Sequence, residues 1–260
     1  MIIREYDSYC LIITQPAHAW ISGQIACQWG ANGFKKTELW EDMCQAAYHH
    51  DAGWLDWEAH PMLNIQTGRP YSFMNLPIGD HLQIWKKTPE YIGLVSRYAQ
   101  LLVSRHVMGL CNRHDFSKDS ETIKKSVSKF RDDQKILQNE LLEKLYSDPF
   151  YKGKLNHTLK QHQKLISLFD YLSLIICMGS IKEEIITNVP NEKGPANLHV
   201  IKSGYDDNAY KVNPWPFIRK EIEVHCDGVK LMSKHTNQAS LQREMKSAER
   251  ITYVAKVIPF

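Results

Sequence analysis

A histidine followed directly by an aspartate, His50-Asp51, is the pair of residues in this chain best suited to metal chemistry. The pair offers one neutral imidazole nitrogen and one carboxylate to the same small volume, and both groups are common ligands of divalent metal ions. Two ligands do not make a site. The chain must therefore supply further ligands, and the fold must enclose them.

The helical period places both side chains of the dyad on buried faces. The pattern predicts a helix that is capped by Thr37 and stops at Gly53. At 3.6 residues per turn, His50 and Asp51 continue two neighbouring apolar rows, whereas His49 shares a row with polar residues. An unpaired carboxylate inside a core is costly, so burial of Asp51 favours a bound cation. The alternative is a frayed helix end at which both side chains meet water.

Two more polar side chains interrupt apolar helical faces. His18 lies in the first turn of a predicted helix, on the same face as Ile21. Asp170 lies in the middle of a strongly apolar helix, with Ile166 and Leu174 one turn away on either side. Taken singly, each is also explained as a core histidine or as a hydrogen-bonded acid. Taken with the dyad, they make a set of two imidazoles and two carboxylates.

The order of these residues, His18, then His50-Asp51, then Asp170, resembles the H…HD…D pattern of the HD-domain superfamily of metal-dependent phosphohydrolases. A closer resemblance, over nearly the whole chain, is to a bacterial family catalogued as a domain of unknown function. That likeness is carried by the segments QPAHA (15–19), HDAGW (50–54), GRPY (68–71), SRH (104–106), FDYLSL (169–174) and PWPF (214–217). It brings no established substrate or reaction.

The HD resemblance and the residue patterning together give the expected fold. We expect a mainly α protein, an HD-like helical bundle, with a small antiparallel β-sheet formed by the N-terminal strand and the C-terminal segment. Residues 14–180 have helical periodicity and would form the metal-binding core. Residues 1–13 and 181–260 contain short β-branched runs separated by turn residues, which predict a β-rich subdomain packed on that core. The whole would be a single globular unit.

The resemblance also implies roles for individual residues. His18, His50, Asp51 and Asp170 would bind one divalent metal ion, and mixed nitrogen and oxygen ligands suit Mn, Fe, Co, Ni or Zn better than Mg. Other HD proteins use extra histidines to bind a second metal or a phosphate oxygen, and the candidates here are His106 and His114. The residues expected to act in catalysis are Asp51, His106 and Arg69.

A long aromatic stretch begins directly after the dyad. We interpret it as a loop that continues to a helix capped by Thr88, and long loops inside compact domains are usually functional. It is expected to form the roof of the pocket, with Trp54, Trp57 and Tyr71 lining it and Glu58 in a second layer around the metal. For each aromatic residue, ordinary core packing is the alternative.

These residues predict hydrolysis of a phosphoester, in a nucleotide or a small phosphorylated metabolite, by a metal-activated water. Two alternatives remain open at this point. Some HD-fold enzymes are di-iron oxygenases that use a similar ligand set, and a non-catalytic module could hold a metal or a metabolite without turnover.

Composition narrows the choice of partners and compartment. The chain has 260 residues, of which 43% are hydrophobic and 23% charged, so it can bury an ordinary core. A net charge of +3 gives no indication of nucleic-acid or membrane binding. The six cysteines contain no CxxC pair, which fits a reducing compartment. We expect a soluble, cytoplasmic protein that acts on a small molecule.

Overall fold

The computed structural model describes residues 1–204 and 208–260. Helices make up 48% of the structure and strands 21%, so the architecture is mixed rather than mainly α. The helices are α1 (Gln15–Gln28), α2 (Trp40–His49), α3 (Trp54–Ala59), α4 (Ile78–Gly93), α5 (Arg97–Arg113), α6 (Glu121–Ser147), α7 (Leu155–Met178) and α8 (Gln238–Ser247). The strands are β1 (Ile2–Glu5), β2 (Cys10–Ile13), β3 (Leu63–Asn64), β4 (Arg69–Pro70), β5 (Glu183–Val189), β6 (Ala196–Lys202), β7 (Ala209–Asn213), β8 (Ile222–Leu231) and β9 (Arg250–Pro259).

Seven of the strands form one curled sheet, a half-barrel, in the order β1-β2-β8-β9-β7-β6-β5. The predicted fold class, mainly α with a small antiparallel sheet, is therefore wrong. The sheet is extended by two ten-residue strands, β8 and β9, and β7 pairs with β9 in parallel. The sequence does not reveal this order because partners are distant in the chain: Cys10 of β2, for example, lies opposite Leu231 of β8.

Helices and sheet share one large hydrophobic core. Helix α1 packs against α2, α7 and β8, so it lies between the helical layer and the sheet. The buried apolar residues that join the two layers come from α1, α7, β8 and β9 and include Ile21, Ile25, Leu172, Ile176, Val224 and Val257. Because apolar burial is the main favourable term in folding, this shared core fixes α1 and α7 relative to each other.

Local capping explains where two of these helices begin. The hydroxyl of Thr14 accepts a hydrogen bond from the backbone N–H of Ala17 at 3.1 Å, which caps α1 at its N-terminus. Ser96 caps α5 in the same way, by accepting from the N–H of Ala99 at 3.1 Å. The prediction that Thr88 caps a helix is wrong, because Thr88 lies within α4. The hydroxyl of Thr88 instead donates to the carbonyl of Ile84, inside α4.

The predicted loop between the dyad and Thr88 is also largely structured. It contains α3, the short hairpin of β3 and β4, and most of α4. Trp54 and Ile84 pack with Leu76 in a small hydrophobic cluster, against which Trp57 and Tyr71 lie partly buried. These aromatic residues therefore hold the segment together by packing.

The longest helix, α6, is a surface helix. Its 27 residues place Val127, Phe130 and Leu141 inward while its remaining faces are largely charged. This agrees with the amphipathic pattern of the sequence. No helix in the described residues is both long and apolar enough to cross a membrane.

One buried histidine of α7 belongs to the core and not to the dyad. His162 is fully buried, with its Nε2 2.7 Å from the hydroxyl of Thr37 and its Nδ1 2.9 Å from the hydroxyl of Tyr98. Burial lowers the pKa of His162 to about 4. Thr37 is thus a partner of this ring and not the helix cap that the sequence predicted.

Acid should destabilise the protein through His162. Between its unfolded pKa of about 6.5 and its folded pKa, the unfolded chain binds a proton that the folded chain does not, so stability falls as the pH falls. Going from about pH 7.5 to about pH 5 should cost about 2 kcal/mol at this site. Urea unfolding of wild type and His162→Gln at both pH values measures the difference. Equal acid sensitivity in the two proteins would contradict the assignment.

Candidate metal centre

Three helices and one helix end bring five polar side chains to a single buried place. His18 comes from α1, His50 and Asp51 directly follow α2, His106 comes from α5 and Asp170 from α7. None of the five residues is more than 7% exposed. His49, next to the dyad in sequence, is exposed to solvent, as the helical rows predicted. Burial therefore distinguishes His50, and not His49, as the candidate ligand.

The ring of His18 is held in one tautomer. Its Nδ1 lies 2.8 Å from the hydroxyl oxygen of Ser173, and that hydroxyl donates its single hydrogen to the backbone carbonyl of Asp170 at 2.8 Å. Ser173 must therefore accept, so the proton of the neutral ring is on Nδ1. The bare lone pair of Nε2 then points at Oδ2 of Asp51, 2.9 Å away. A lone pair facing a carboxylate oxygen is repulsive unless a proton or a metal ion lies between them.

His50 repeats this arrangement. Its Nδ1 donates to the carbonyl of Ala47 at 2.8 Å, which leaves the lone pair on Nε2. That nitrogen is buried without a hydrogen bond of good geometry. It lies 3.4 Å from Oδ1 of Asp170 and 3.8 Å from Oδ2 of Asp51. Metal-binding histidines are commonly oriented in this way, with the second ring nitrogen donating to a carbonyl.

His106 has a looser version of the same geometry. Its Nδ1 is 3.4 Å from the hydroxyl of Ser167, and that hydroxyl is placed to donate to the carbonyl of Gln163 at 3.5 Å. Its Nε2, also without a hydrogen bond, faces Oδ2 of Asp170 at 3.4 Å. His106 thus approaches the second oxygen of the same carboxylate that His50 approaches.

The spacing of the ligand atoms suits a divalent ion. Ligand atoms at about 2.1 Å from a metal lie roughly 3.0–3.4 Å from one another in tetrahedral or octahedral sites. The nitrogen-to-oxygen distances here run from 2.9 Å to 3.8 Å. Two overlapping groups of three, each within 4.8 Å, could hold an ion: His18, His50 and Asp51, and His50, His106 and Asp170. His50 is common to both groups.

Electrostatics at this cluster favour a positive charge at its centre. Burial alone would raise the pKa of Asp170, but the imidazoles of His106 and His50 hold it well below its usual range. Burial likewise opposes ionisation of Asp51, and His50 and His18 lower its pKa nonetheless. Burial by itself lowers the pKa of His50, yet the charges of Asp51 and Asp170 raise it to about 9. Two carboxylates thus stay ionised without a metal because a protonated His50 faces them, and a divalent ion that displaced this proton would balance them in its place.

A second layer of polar groups surrounds the dyad. Glu58 of α3 accepts from the backbone N–H of Gln15 at 2.7 Å and also forms an ion pair with the amino group of Met1. Burial raises the pKa of Glu58, and the negative charge of Asp51 adds to the shift. Glu58 therefore ties the start of α1, which carries His18, to the segment that follows the dyad.

Sequence reasoning missed one histidine near this site. His81 of α4 donates from Nε2 to the carbonyl of Phe73 at 2.9 Å, and its buried Nδ1 has no hydrogen-bond partner. Burial lowers the pKa of His81, and the carbonyl of Phe73 and the charge of Asp51 oppose that shift. His81 was overlooked because its segment was interpreted as a loop. Its four-residue spacing from Trp85, whose ring lies 5.1 Å away, is a helical signal that could have found it.

Two predicted site residues lie elsewhere. Arg69 of β4 forms an ion pair with Glu5, at 3.1 Å, and donates a hydrogen bond to the carbonyl of Ser233, at 2.6 Å. Its guanidinium therefore connects the N-terminal strand to the C-terminal segment. His114 ends α5 with an exposed ring, 3.5 Å from a carboxylate oxygen of Asp119. Both side chains have other ionic partners, and neither is among the residues that the structure brings together at the cluster.

Trp54, Trp57 and Tyr71 were expected to line the pocket, and they are found in the small hydrophobic cluster described above. Trp54 remains close to the dyad, because its backbone N–H donates to the carbonyl of Asp51 at 3.0 Å. The ring of Trp54 lies edge-on to His81, with ring centres 5.4 Å apart. These direct contacts thus support core packing as the role of these aromatic residues.

Fold and site define an α+β protein with a buried cluster of three histidines and two aspartates between helices. The chain belongs to the family described as "Protein of unknown function (DUF3891)", whose model matches residues 1–233. This agrees with the resemblance to an uncharacterised family that the segments of the sequence suggested. No curated protein and no solved structure matches the chain. The wider resemblance to HD-domain enzymes still rests on the order of the histidines and aspartates.

Proposed function

We propose that this protein is a metal-dependent hydrolase of the HD type that cleaves a phosphoester in a small phosphorylated molecule. The observation that carries the proposal is the direction of three imidazole rings. His18, His50 and His106 each present Nε2 to buried carboxylate oxygens, and in each ring a serine or a backbone carbonyl takes up the other nitrogen. Three lone pairs and two carboxylates in one buried volume are best explained by a cation.

His18, His50, Asp51 and Asp170 are the proposed ligands, with His106 able to join at the second oxygen of Asp170. Such a mixed set suits Mn, Fe, Co, Ni or Zn better than Mg. When bound, a divalent ion would lower the pKa of a water molecule and polarise a phosphoryl oxygen. Asp51 would orient the attacking water through its second oxygen, and His106 would meet the phosphate.

A second candidate is a two-metal enzyme that activates oxygen. It is favoured by one observation, the two overlapping ligand groups that share His50. A di-iron oxygenase would contain two irons per chain and would consume oxygen, whereas the hydrolase would release phosphate without oxygen uptake. Metal content and oxygen uptake thus separate the two candidates.

The full chain is purified without chelator and its metal content is measured. The protein is then screened for hydrolysis of phosphomonoesters, phosphodiesters and nucleotides. We expect a bound divalent ion and phosphate release that stops with chelator. Asp51→Ala should reduce turnover on the order of a thousandfold, because the metal supplies several kcal/mol of transition-state stabilisation. Asp170→Asn, which changes a charge and little volume, guards against a folding effect.

If the protein carries no divalent ion and chelator-treated protein binds none, the proposal fails. If an ion binds but no phosphoester is cleaved, the metal centre stands and the hydrolase does not. Ligand binding without turnover, unaffected by Asp51→Ala, would point to a non-catalytic module.

A further inference from the structure

A cleft with a volume of about 560 Å³ opens between α5, α7 and β5, and its floor reaches the cluster. His106 and Ser167 line it, and they are 3.4 Å apart. Nδ1 of the His106 ring therefore contacts a residue of the cleft lining, while Nε2 faces Asp170. The volume lies within the range of about 300–1,000 Å³ that is usual for small-molecule sites.

The charge lining this cleft is all of one sign. Four cationic side chains line it, Arg105, Arg113, Lys160 and Lys164, and no aspartate or glutamate of the described residues does so. Elsewhere on the surface, cations such as Arg97 have carboxylate partners, in that case Asp148 at 2.5 Å. A concave surface with charges of one sign concentrates ligands of the opposite sign.

Arg105 is the strongest single indication of a ligand. Its side chain is half-buried, and Nε is buried without a hydrogen-bond partner. The contact of Nη1 is with the neutral amide oxygen of Gln163, at a long 3.3 Å. A guanidinium presents a planar fork of donors that matches the oxygens of a phosphate or carboxylate. Leaving the buried Nε unpaired is costly, which favours an anion beside this guanidinium.

Part of the cleft lining is apolar. Leu168 of α7 with Ile186, Val189 and Pro190 on the side of β5 form this apolar wall, beside polar Thr187 and Asn188, and Ile186 and Pro190 are partly exposed. Inorganic phosphate would use only the cationic side. An organic phosphate would place its anionic group at Arg105 and its carbon skeleton against the apolar wall, which buries apolar surface as well.

We propose that this cleft binds a small organic phosphate, with Arg105 as the principal contact of the phosphate group and His106 at the passage to the cluster. The role of the cleft as the substrate entrance rests on the proposed hydrolase, whereas its ability to bind an organic phosphate does not. Arg105 replaces Arg69 as the residue that meets the anion.

The experiment is calorimetric titration of the chelator-treated full chain with adenosine 5′-monophosphate and with inorganic phosphate. The nucleotide should bind at least about tenfold more tightly than phosphate, because it also buries apolar surface. Arg105→Gln should weaken nucleotide binding by about 10- to 100-fold, the usual loss for a hydrogen bond to a charged group. Lys124→Gln, which removes a surface cation paired with Glu121, is the matched control.

A steric variant tests the place of binding without altering charge. Gly109 lines the cleft, and a Cβ added there meets nothing within 4 Å. Gly109→Phe should therefore fold and block the nucleotide, whereas Gly109→Ala should bind it as wild type does. The proposal would be overturned if neither Arg105→Gln nor Gly109→Phe weakened nucleotide binding. It would also be overturned if the wild-type protein bound neither probe.

Nucleotide binding at the cleft and metal binding at the cluster are separate measurements, and either can fail alone. If Arg105→Gln and wild type bind metal equally but neither binds nucleotide, the cleft assignment is wrong and the metal centre stands. If the nucleotide binds in an Arg105-dependent way but no divalent ion binds, the cleft is an organic-phosphate site and the hydrolase proposal is wrong.

Discussion

His50→Ala is expected to abolish stabilisation by divalent metal ions, whereas His49→Ala, a change at the adjacent residue, should leave it intact. His50 is 1% exposed, and its Nε2 faces both carboxylates of the cluster. His49 is exposed to solvent. The two variants remove the same side chain one position apart, so they separate ligation at the cluster from any general effect of losing a histidine.

The size of this effect follows from mass action. An ion present at 100 times its dissociation constant, and bound only by the folded chain, stabilises by about 2.7 kcal/mol. In a chain of this length that corresponds to a rise in unfolding temperature of roughly 5–10 °C. Thermal unfolding of chelator-treated protein with and without added Mn²⁺, Co²⁺, Ni²⁺ or Zn²⁺ measures the shift for each variant.

His50→Ala should unfold at the same temperature with and without metal, and His49→Ala should shift as wild type does. A wild-type protein that none of these ions stabilises would contradict the metal centre. Equal shifts in the two variants would remove His50 from the ligand set.

Gly53→Ala is the second substitution with a large expected effect. Gly53 has helical dihedral angles, φ −62° and ψ −18°, so its place as the predicted stop of the helix does not rest on a left-handed conformation. What requires glycine is the close approach of α4. A Cβ at this position would lie 2.2 Å from the carbonyl oxygen of Ile84 and 2.4 Å from the hydroxyl of Thr88.

Because one of those atoms is backbone, α4 or the turn after the dyad must move. We expect Gly53→Ala to lower the free energy of unfolding by about 1–3 kcal/mol, the usual cost of overpacking. Displacement of the turn would also misplace Asp51, and changes in the layer around a metal commonly weaken its binding about 10- to 100-fold. Urea unfolding and metal titration of the same variant measure the two effects.

Gly109→Ala is the matched control for this helical glycine. Its added Cβ meets open space, so the substitution should be neutral or should stabilise the helix by up to about 1 kcal/mol. If Gly53→Ala were as stable as Gly109→Ala, the close approach of α4 would not be the reason for glycine at this position.

Residue spacing predicted much of the cluster, because helical periodicity is a local property. The rows of α2 separated buried His50 from exposed His49, and the apolar neighbours of Asp170 indicated that its carboxylate is buried. His106 was predicted at the end of an apolar face, and it is buried beside Asp170. For these residues, the pattern within a single helix was sufficient to predict that the side chain is buried.

Residues outside regular periodicity were placed less well. Arg69 and His114 were chosen for their chemical type, but salt bridges to Glu5 and Asp119 occupy them. Arg105 was passed over as a neighbour of His106, since no pattern shows that a guanidinium will lack a carboxylate partner. Ionic pairing joins distant parts of a chain, and a single sequence carries little record of it.

The sequence by itself determined which helical faces are apolar and which histidines and aspartates interrupt them, because side-chain direction repeats every 3.6 residues. It also indicated strands within residues 1–13 and 181–260, since β-branched residues there lie between turn signals. Only the tertiary structure decided the order of the seven-stranded sheet, the helical path of α4 through Pro89, and the direction in which each imidazole lone pair points. Those features depend on contacts between residues far apart in the chain, such as Ser173 with His18 and Thr88 with Gly53.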